Sequence, residues 1–430
     1  MQVKLEQLAS LRNAGTPCGI FSVCSAHPVV LRAALRHGRE TGSTVLIEAT
    51  CNQVNHQGGY TGMRPADFAA LVFNIANDEG CPPELIVLGG DHLGPNPWRF
   101  LPAESAMAEA AAMVSAYVAA GFRKIHLDAS MGCANEPDAL DDVTTANRAA
   151  KLARVAEEVS KRMDGAMPLY IIGTEVPPPG GADHMLDSIT PTNALAAIRT
   201  LAIHRDVFRK AQLQAALDRA IGLVVQPGVE FGNSNVIGYK RDNANDLIQV
   251  LNSESSKIFE AHSTDYQGLR ALTELIEDGF AILKVGPELT FVLREALYAL
   301  DLIATDLLPD YGNRPLYHAM EDIMLTKPEY WESHYAGDTA STRMLRHYSL
   351  SDRIRYYWAM PEAKQAVDRL MASLRGQQLP LPILLQHLPG ATHFADTPLQ
   401  PEEVLIWRVG QSLATYHAAC KVSHASTDKI

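Results

Sequence analysis

One stretch, Leu88-Gly89-Gly90-Asp91-His92-Leu93-Gly94-Pro95, carries the clearest structural signal in this chain. A short apolar run ends there in glycines, an acid and an imidazole, which is typical of a buried strand that opens into a functional loop. The same pattern, an apolar run followed by polar side chains, recurs at residues 125–128, 173–175, 226–230 and 260–265. Polar chemistry is therefore expected at one end of successive strands.

Continuous apolar runs on both sides of this stretch predict eight strands. Such runs, rather than alternating ones, are typical of parallel strands that are covered on both faces. The predicted strands are 19–23, 45–49, 85–88, 124–127, 169–172, 221–225, 257–260 and 280–285. Segments with helical periodicity lie between them, at 29–39, 65–77, 103–119, 145–162, 192–219, 244–251 and 267–277.

This alternation of strands and helices predicts an α/β fold, a TIM (β/α)8 barrel, over residues 1–307. A doubly wound open sheet is the competing fold, but it would carry a glycine-rich phosphate turn after its first strand. The turn here is Cys24-Ser25-Ala26-His27-Pro28, which has no GxGxxG pattern. The barrel is therefore the favoured architecture.

Residues 308–430 contain no further strand signal and predict an α-helical C-terminal extension packed on the barrel. Within it, the basic and aromatic segment Ser351-Asp352-Arg353-Ile354-Arg355-Tyr356-Tyr357-Trp358 could lie over the barrel mouth. A role for this segment in the core or in an interface is an equally open interpretation.

Composition narrows the classes of function. The net charge is −12 over 430 residues and no stripe of Lys and Arg is present, which argues against nucleic-acid binding and against an anionic membrane surface. A charged N-terminus and the lack of a long apolar run predict no membrane segment and a cytoplasmic location. The six cysteines form no CxxC pair, so neither a disulfide framework nor a zinc knuckle is indicated.

The predicted strand ends offer candidate metal ligands. His92 follows the third strand and His262 the seventh, and imidazoles that converge across a barrel mouth can hold a divalent ion. Glu175, or Gln226 after the sixth strand, would complete the ligand set. Such an ion, with zinc as the expected metal, would polarise a sugar carbonyl while Asp91 donates or accepts a proton.

Structural interpretations of the same residues stay open. A lone histidine at a strand end, such as His27 or His126, is more often a structural hydrogen-bonding group than a ligand. Glu175 would either ligate an ion or cap a rigid loop. The Pro227-Gly228 turn leaves the directions of the Gln226 and Glu230 side chains undetermined.

An anionic sugar phosphate stays a possible ligand, since it needs only local basic or backbone N–H donors, and the last two barrel loops are the usual phosphate site of this fold. They offer Ser263, Thr264 and Asp265 after the seventh strand, and Gly286 at a helix start after the eighth. Lys284 would add a positive charge. No GxxxxGK[ST] loop occurs, so P-loop phosphoryl transfer is not supported.

Several long strings, in this order, resemble the GatZ/KbaZ family, the accessory Z subunit of class II D-tagatose-1,6-bisphosphate aldolase. The resemblance covers essentially the whole chain. The strings are residues 23–28, 47–50, 58–63, 89–96, 124–128, 172–177, 224–231, 260–267 and 351–358.

The barrel is also more distantly similar to the catalytic class II aldolases. The resemblance implies a catalytic acid at Asp91 and zinc-binding imidazoles at His92 and His262. Two departures weigh against independent aldolase activity: Gln226 stands where those enzymes supply a further zinc histidine, and Gly286 stands about where they carry a substrate-contacting Asn.

Two functions follow from the resemblance. In the first, the chain is a non-catalytic Z subunit that stabilises and activates a catalytic Y-type aldolase subunit in the catabolism of galactitol, N-acetylgalactosamine or tagatose. In the second, it is itself a metal-dependent 4-epimerase of tagatose and fructose 6-phosphates. A third activity attached to the family, tagatose 6-phosphate kinase, has no Walker loop or protein-kinase signature to support it.

In the epimerase hypothesis, the ion is held by His92, His262, Glu175 and Gln226, and protons are exchanged by Asp91 together with Asp128 or Glu230. Both a proton-transfer route and a retro-aldol route would use the same Lewis acid. The sequence leaves the route open, as it does the question whether the chain forms homo-oligomers.

Overall fold

The computed structural model describes residues 2–173 and 189–421. Eight parallel strands close into a barrel in the order β1, β10, β9, β6, β5, β4, β3, β2, so the predicted TIM barrel is confirmed. The barrel strands are β1 (Ile20–Val23), β2 (Val45–Thr50), β3 (Ile86–Leu93), β4 (Lys124–Leu127), β5 (Leu169–Ile172), β6 (Ala220–Val225), β9 (Ile258–Ala261) and β10 (Phe280–Val285). A short antiparallel hairpin of β7 (Glu230–Phe231) and β8 (Val236–Ile237) follows β6.

Helices surround the barrel and form the C-terminal part of the chain. They are α1 (Leu8–Asn13), α2 (Pro28–Thr41), α3 (Pro65–Glu79), α4 (Ala103–Ala119), α5 (Asp142–Met163), α6 (Ala194–Lys210), α7 (Gln214–Asp218), α8 (Arg241–Ser253), α9 (Gly268–Glu277), α10 (Pro287–Leu307), α11 (Pro315–Thr326), α12 (Thr339–Tyr348), α13 (Pro361–Leu374), α14 (Leu381–His387) and α15 (Pro401–Cys420). In the described ranges, no helix is both long and apolar enough to cross a membrane.

The barrel interior is layered, because alternate residues of each strand point inward. The lowest layer is apolar, and the N-terminal segment closes it from below with Leu5 and Leu8. Polar and charged side chains occupy the layers above. The apolar members of the lowest layer include Ile20, Leu46, Leu169, Ile171, Val224, Ile258 and Ile282. This gradient places buried charge at the carboxyl ends of the strands.

The structure differs from the predicted elements at two places that affect the site. Strand β3 continues through Asp91 to Leu93 instead of ending at the glycines, because those glycines pair with β2 and β4. The helix predicted over 192–219 is divided into α6 and α7, with Gln212 between them at φ +58°. Helix α6 is capped by the Asn193 side chain, which accepts from the backbone N–H groups of Leu195 and Ala196.

Helix α15 belongs to the outer ring of the barrel, although it comes last in the chain. It packs against α2 and α9, the helices that follow the first and seventh barrel strands, and against α10. The N–H of Gly19 donates to the carbonyl of Cys420 at its end, at 3.0 Å. The division at residues 307 and 308 remains a prediction, and this packing indicates that the barrel and the extension depend on each other.

The turn after β3 is sensitive to a single methyl group at Gly94. A Cβ on Gly94 would lie 1.5 Å from the backbone oxygen of Asp128. We expect Gly94→Ala to lower the free energy of unfolding by about 3 kcal/mol, since two backbones would have to separate. Urea unfolding measures this. Gly410→Ala is the control: it lies within α15 with open space around its Cβ, and it should gain about 0.5–1 kcal/mol. Equal effects of the two variants would contradict this account.

Candidate metal and substrate site

A bulge at the end of β3 brings two consecutive side chains into one site. The pairing register with β4 shifts between Gly90 and Leu93, and His92 adopts φ +50°. Consecutive residues of a regular strand point to opposite faces, whereas a bulge redirects one of them. As a result the Nε2 of His92 lies 3.6 Å from the Oδ2 of Asp91.

Three histidines converge at the carboxyl ends of the strands, and each is held by a carboxylate. Their ring centroids lie 5.0 to 5.3 Å apart. The pairs are His126 Nδ1 with Asp91 Oδ1 at 2.8 Å, His92 Nδ1 with Asp128 Oδ2 at 2.8 Å, and His262 Nε2 with Glu260 Oε1 at 3.0 Å. A carboxylate bound to one imidazole nitrogen is the usual way in which proteins orient the other nitrogen toward a metal.

The second nitrogens of these rings are the candidate ligand atoms. The Nε2 of His126 is fully buried and makes no hydrogen bond within the described residues, which is costly for a polar atom unless a ligand binds it. Ligand atoms of Asp91, His126, Glu260 and His262 all lie within 4.8 Å of one another. Donors on one tetrahedral zinc ion lie roughly 3.3 Å apart, so small side-chain rotations would suffice. The residues present therefore fit a divalent ion.

A layer of buried ion pairs supports the histidines from below. Lys124 contacts Glu48 at 2.8 and 2.9 Å and Glu260 at 2.6 Å, and all three side chains are inaccessible to solvent. Lys284 contacts Glu48 at 2.8 Å and Asp91 at 2.9 Å. Each lysine therefore bridges two carboxylates, and Glu48 is shared between the two lysines. This fixes the carboxylates that in turn orient the imidazoles.

Charge and burial set the protonation of the site. Burial alone would raise the pKa of Asp91, but the charges of His92 and Lys284 outweigh it, and the pKa lies well below its ordinary value. Burial lowers the pKa of His262 to about 4. At neutral pH the site thus holds an ionised Asp91 and a neutral His262, which are forms that can accept a proton and bind a metal.

Asp128 acts on His92 and is held in place by a neighbour. Its Oδ1 accepts from the Ser130 hydroxyl at 2.9 Å while its Oδ2 pairs with His92. Burial would raise the pKa of Asp128, yet its bonds to His92 and Ser130 hold the pKa well below its ordinary value. Burial would lower the pKa of His92, but Asp91 and Asp128 raise it. Asp128 is therefore a positioning group rather than a free base.

Gln226 and Glu230, the two candidate site residues after β6, have environments that differ from each other. The side-chain oxygen of Gln226 accepts from the N–H groups of Gly228 and Val229, at 2.8 and 3.0 Å, and so stabilises its own turn. This bonding argues against Gln226 as a metal ligand. Glu230 is buried, and burial raises its pKa to about 7 against the hydrogen bonds from the Phe231 N–H and the Ser263 side chain. Glu175 lies outside the described residues.

The loops predicted to bind phosphate are already satisfied by internal bonds. The Oδ1 of Asp265 accepts from the N–H groups of Gly286 at 3.0 Å and Glu288 at 2.8 Å, at the start of α10. The hydroxyl of Thr264 donates to the Lys284 carbonyl at 2.7 Å, and Thr264 is fully buried. The predicted role of Asp265 and Gly286 in holding phosphate is therefore disfavoured, because a carboxylate occupies the donors that a phosphate would need.

Asp265 also makes stability depend on pH. Burial, with the charge of Glu288 adding, raises its pKa to about 7, whereas an unfolded aspartate titrates near about 3.9. The folded chain then holds a proton that the unfolded chain releases, so this contribution to stability is complete below about pH 4 and is lost as pH rises through about 7.

Asp265→Asn keeps an oxygen acceptor but cannot ionise. Relative to the original protein, we expect it to gain roughly 2–3 kcal/mol between pH 5 and pH 8. Urea unfolding at the two pH values measures this difference, with the exposed Asp310→Asn as a control that should show none. A stability difference for Asp265→Asn that does not change with pH would contradict the assignment.

A cavity of about 500 Å³ opens above the histidines. Asp91, His92 and His262 line its floor together with Ser263 and Lys284. Its walls come from the loops after β1 and β2 and from the C-terminal part of the chain. The C-terminal contribution consists of Arg355, Tyr356, Trp358, Ala359, Lys364, Val367, Asp368 and Leu405. The volume is in the range of small-molecule sites, which run from about 300 to 1,000 Å³.

The structure brings together residues that the sequence analysis separated. It places His126, regarded above as structural, beside His92 and His262, and it adds Glu260 as the partner of His262. The sequence feature that could have identified His126 is its position two residues after Lys124, because side chains two apart on a strand share one face and both of these point into the barrel. That signal is visible only when the inward face of β4 is known.

Fold and site define a TIM-barrel protein with a candidate divalent-metal centre beneath a cavity of small-molecule size. The chain belongs to the GatZ/KbaZ-like family: the family model described as D-tagatose-1,6-bisphosphate aldolase subunit GatZ/KbaZ-like matches residues 5–421. The predicted resemblance is thereby confirmed.

Two full-length relatives are similar to this chain. A protein of Agrobacterium fabrum named D-tagatose 6-phosphate 4-epimerase is 58% identical over 419 residues, covering 97% of this chain and 99% of that protein. A crystal structure of a "probable tagatose 6 phosphate kinase" from Sinorhizobium meliloti 1021 has 50% identity and a TM-score of 0.86, covering 94% of this chain and 100% of that one. A fructose-bisphosphate aldolase of Campylobacter jejuni is a remote match, with 12% identity, a TM-score of 0.44, and coverage of 97% and 96%.

Proposed function

We propose that this chain is a divalent-metal-dependent 4-epimerase that interconverts tagatose 6-phosphate and fructose 6-phosphate. The observation that carries the proposal is the set of three carboxylate-anchored imidazoles at the base of the cavity, where His92 and His262 line the floor and His126 is buried beside them. An accessory subunit has no need of such a set, whereas an enzyme that labilises bonds beside a ketone does. The relative of Agrobacterium fabrum that bears this activity in its name supports the proposal.

His92, His126 and His262 would hold the ion. The Oδ1 of Asp91 contacts both His126 and Lys284, and the oxygens of Glu260 contact Lys124 and His262, so these three oxygens are poorer ligand candidates than the rings. The Oδ2 of Asp91 lies 3.6 Å from the His92 Nε2 and is the oxygen left for proton transfer. Three imidazoles suit zinc and leave a coordination position open for substrate. When bound, the ion would supply Lewis acidity to the C2 carbonyl of the ketose and favour charge on its oxygen.

Asp91 and Glu230 have complementary protonation states. Asp91 is ionised and lines the cavity, so it can accept a proton from a sugar hydroxyl or carbon. Glu230, with a pKa raised to about 7 by burial, is protonated in about half of the molecules at neutral pH. It reaches the cavity through Ser263, whose hydroxyl it binds and which lines the floor. Two carboxyl groups with separated pKa values are the usual arrangement for acid–base chemistry.

The proposal is tested with Asp91→Asn and with the exposed Asp310→Asn as the matched control. Asn keeps the size of the side chain but cannot take a proton, so we expect epimerisation of fructose 6-phosphate to fall at least about 100-fold, while Asp310→Asn stays at the original rate. Far-ultraviolet circular dichroism verifies the fold of both. Full turnover by Asp91→Asn would contradict the role of this residue.

A second candidate function is the accessory one, because the family description names an aldolase subunit. In that case the chain would bind a catalytic Y-type subunit and raise its activity, with no turnover of its own. The same variants discriminate between the two. Activation of a Y-type aldolase that is unchanged in Asp91→Asn, together with no epimerase activity in the original protein, would favour the accessory function.

A further inference from the structure

We propose that the phosphate of the substrate is held by Arg355 and Lys364 from the C-terminal helical region, rather than by the last two barrel loops. This inference rests on the proposed function, which makes the ligand a ketose phosphate. It adds a phosphate subsite and assigns the C-terminal region a direct part in substrate binding.

The first step is that the N–H donors at the usual phosphate position of the barrel are already occupied here. The N–H groups of Gly286 and Glu288 at the start of α10 point at the carboxylate of Asp265. The carboxylate of Glu288 accepts from the Tyr266 N–H at 2.6 Å in the same place. A phosphate would therefore meet two acidic side chains and no unused donor from these N–H groups.

The second step is that the positive charge of Lys284 is already balanced by neighbouring carboxylates. Its ammonium group contacts Glu48 and Asp91 at 2.8 and 2.9 Å and has Glu260 at 3.9 Å. Three carboxylates around one ammonium already exceed its charge. A doubly charged phosphate placed beside it would add repulsion and would disturb Asp91.

The third step is that Arg355 is a cation in the cavity wall that makes no ion pair with a carboxylate among the described residues. Its guanidinium donates to the carbonyls of Ser351 and Asp352 and to the hydroxyl of Tyr356 at 2.8 Å, and it lies over the Tyr356 ring. The carboxylate of Asp352 is bound instead by Arg294 and Thr290. These contacts fix the guanidinium and leave some of its five N–H donors for a phosphate.

The fourth step concerns Lys364, which belongs to the first turn of α13 and lines the cavity. It is exposed, and its charge adds to burial in lowering the pKa of His27 to about 4, which places it near the loop after β1. Asp368 also lines the mouth one turn further on, and the three side chains together remain net positive. The C-terminal region thus supplies the two cations that the barrel loops lack.

The test is calorimetric titration of the metal-loaded full-length protein with fructose 6-phosphate and, separately, with inorganic phosphate. We expect Arg355→Met and Lys364→Met each to weaken both ligands about 10-fold and the double variant about 100-fold. Arg355→Lys should restore part of the loss, since it keeps the charge. Lys151→Met, an exposed lysine of α5, is the control and should bind as the original protein does.

The outcomes separate this inference from the proposed function. Binding of fructose 6-phosphate that depends on Arg355 and Lys364, without epimerisation, would leave the inference standing and reject the proposed function. Binding unchanged in the double variant would overturn the inference even if the protein is an epimerase. A loss on Ser263→Ala in place of Arg355→Met would return the phosphate to the barrel loops, and no binding by the original protein would also overturn the inference.

Discussion

His126→Ala should lose most of its bound divalent ion and at least about 100-fold in epimerase turnover, because it removes a candidate ligand whose buried Nε2 has no hydrogen-bond partner in the described part of the chain. Elemental analysis of protein dialysed against limiting zinc measures the first effect, and a coupled assay the second. This change tests the structure directly, because the sequence pattern favoured a structural role for His126 and only the structure makes it a candidate ligand.

Two further variants show whether a loss of metal comes from the missing ligand or from unfolding of the protein. His126→Asn keeps a side-chain N–H near Asp91 but removes the ligand nitrogen, so it should fold normally and still lose the ion. His318→Ala, at an exposed position of α11, should retain both metal and activity. Stoichiometric zinc in a folded His126→Asn protein would show that this imidazole is not a ligand.

Lys124→Met should lower the free energy of unfolding by about 3–5 kcal/mol, since it removes one of the two lysine charges from a layer that holds three buried carboxylates. Lys124 is the closest cation to Glu260 and contacts both oxygens of Glu48. Urea unfolding, read by tryptophan fluorescence, measures the change. The exposed Lys151→Met should change stability by less than about 0.5 kcal/mol.

A double variant shows whether the loss comes from unpaired charge. Lys124→Met with Glu260→Gln removes one charge of each sign, so it should be more stable than the sum of the two single losses predicts. Strict additivity, or a loss below about 1 kcal/mol for Lys124→Met, would mean that the ion-pair layer does not hold the site together.

The barrel was predictable from the sequence because strands buried on both faces leave continuous apolar runs. Even where the boundaries moved, as at β3, the strand itself was found. The glycines before Asp91 indicated a turn because they lack side chains, whereas in the structure Gly89 leaves room for the side chain of Glu48, which would lie 2.7 Å from a Cβ. The pairing of these glycines with β2 and β4, rather than their local strand propensity, extends β3.

The site was predictable only in part. Asp91, His92 and His262 follow apolar runs, and the structure brings them together at one cavity floor. Lys124 and Glu260 lie within strands, where a charge is usually taken to face solvent, so their inward direction depends on the barrel as a whole. Phosphate binding was assigned to the loops that serve it in other barrels, and the Asp265 carboxylate shows why this chain departs from them.

The most direct measurement is to incubate the purified, metal-reconstituted chain alone with fructose 6-phosphate and to follow tagatose 6-phosphate by carbon nuclear magnetic resonance, with a chelated sample beside it. We expect conversion to an equilibrium mixture without any partner, abolished by chelation and restored by zinc. Absence of conversion in protein that demonstrably holds its ion would contradict the account and leave the accessory-subunit function as the better explanation.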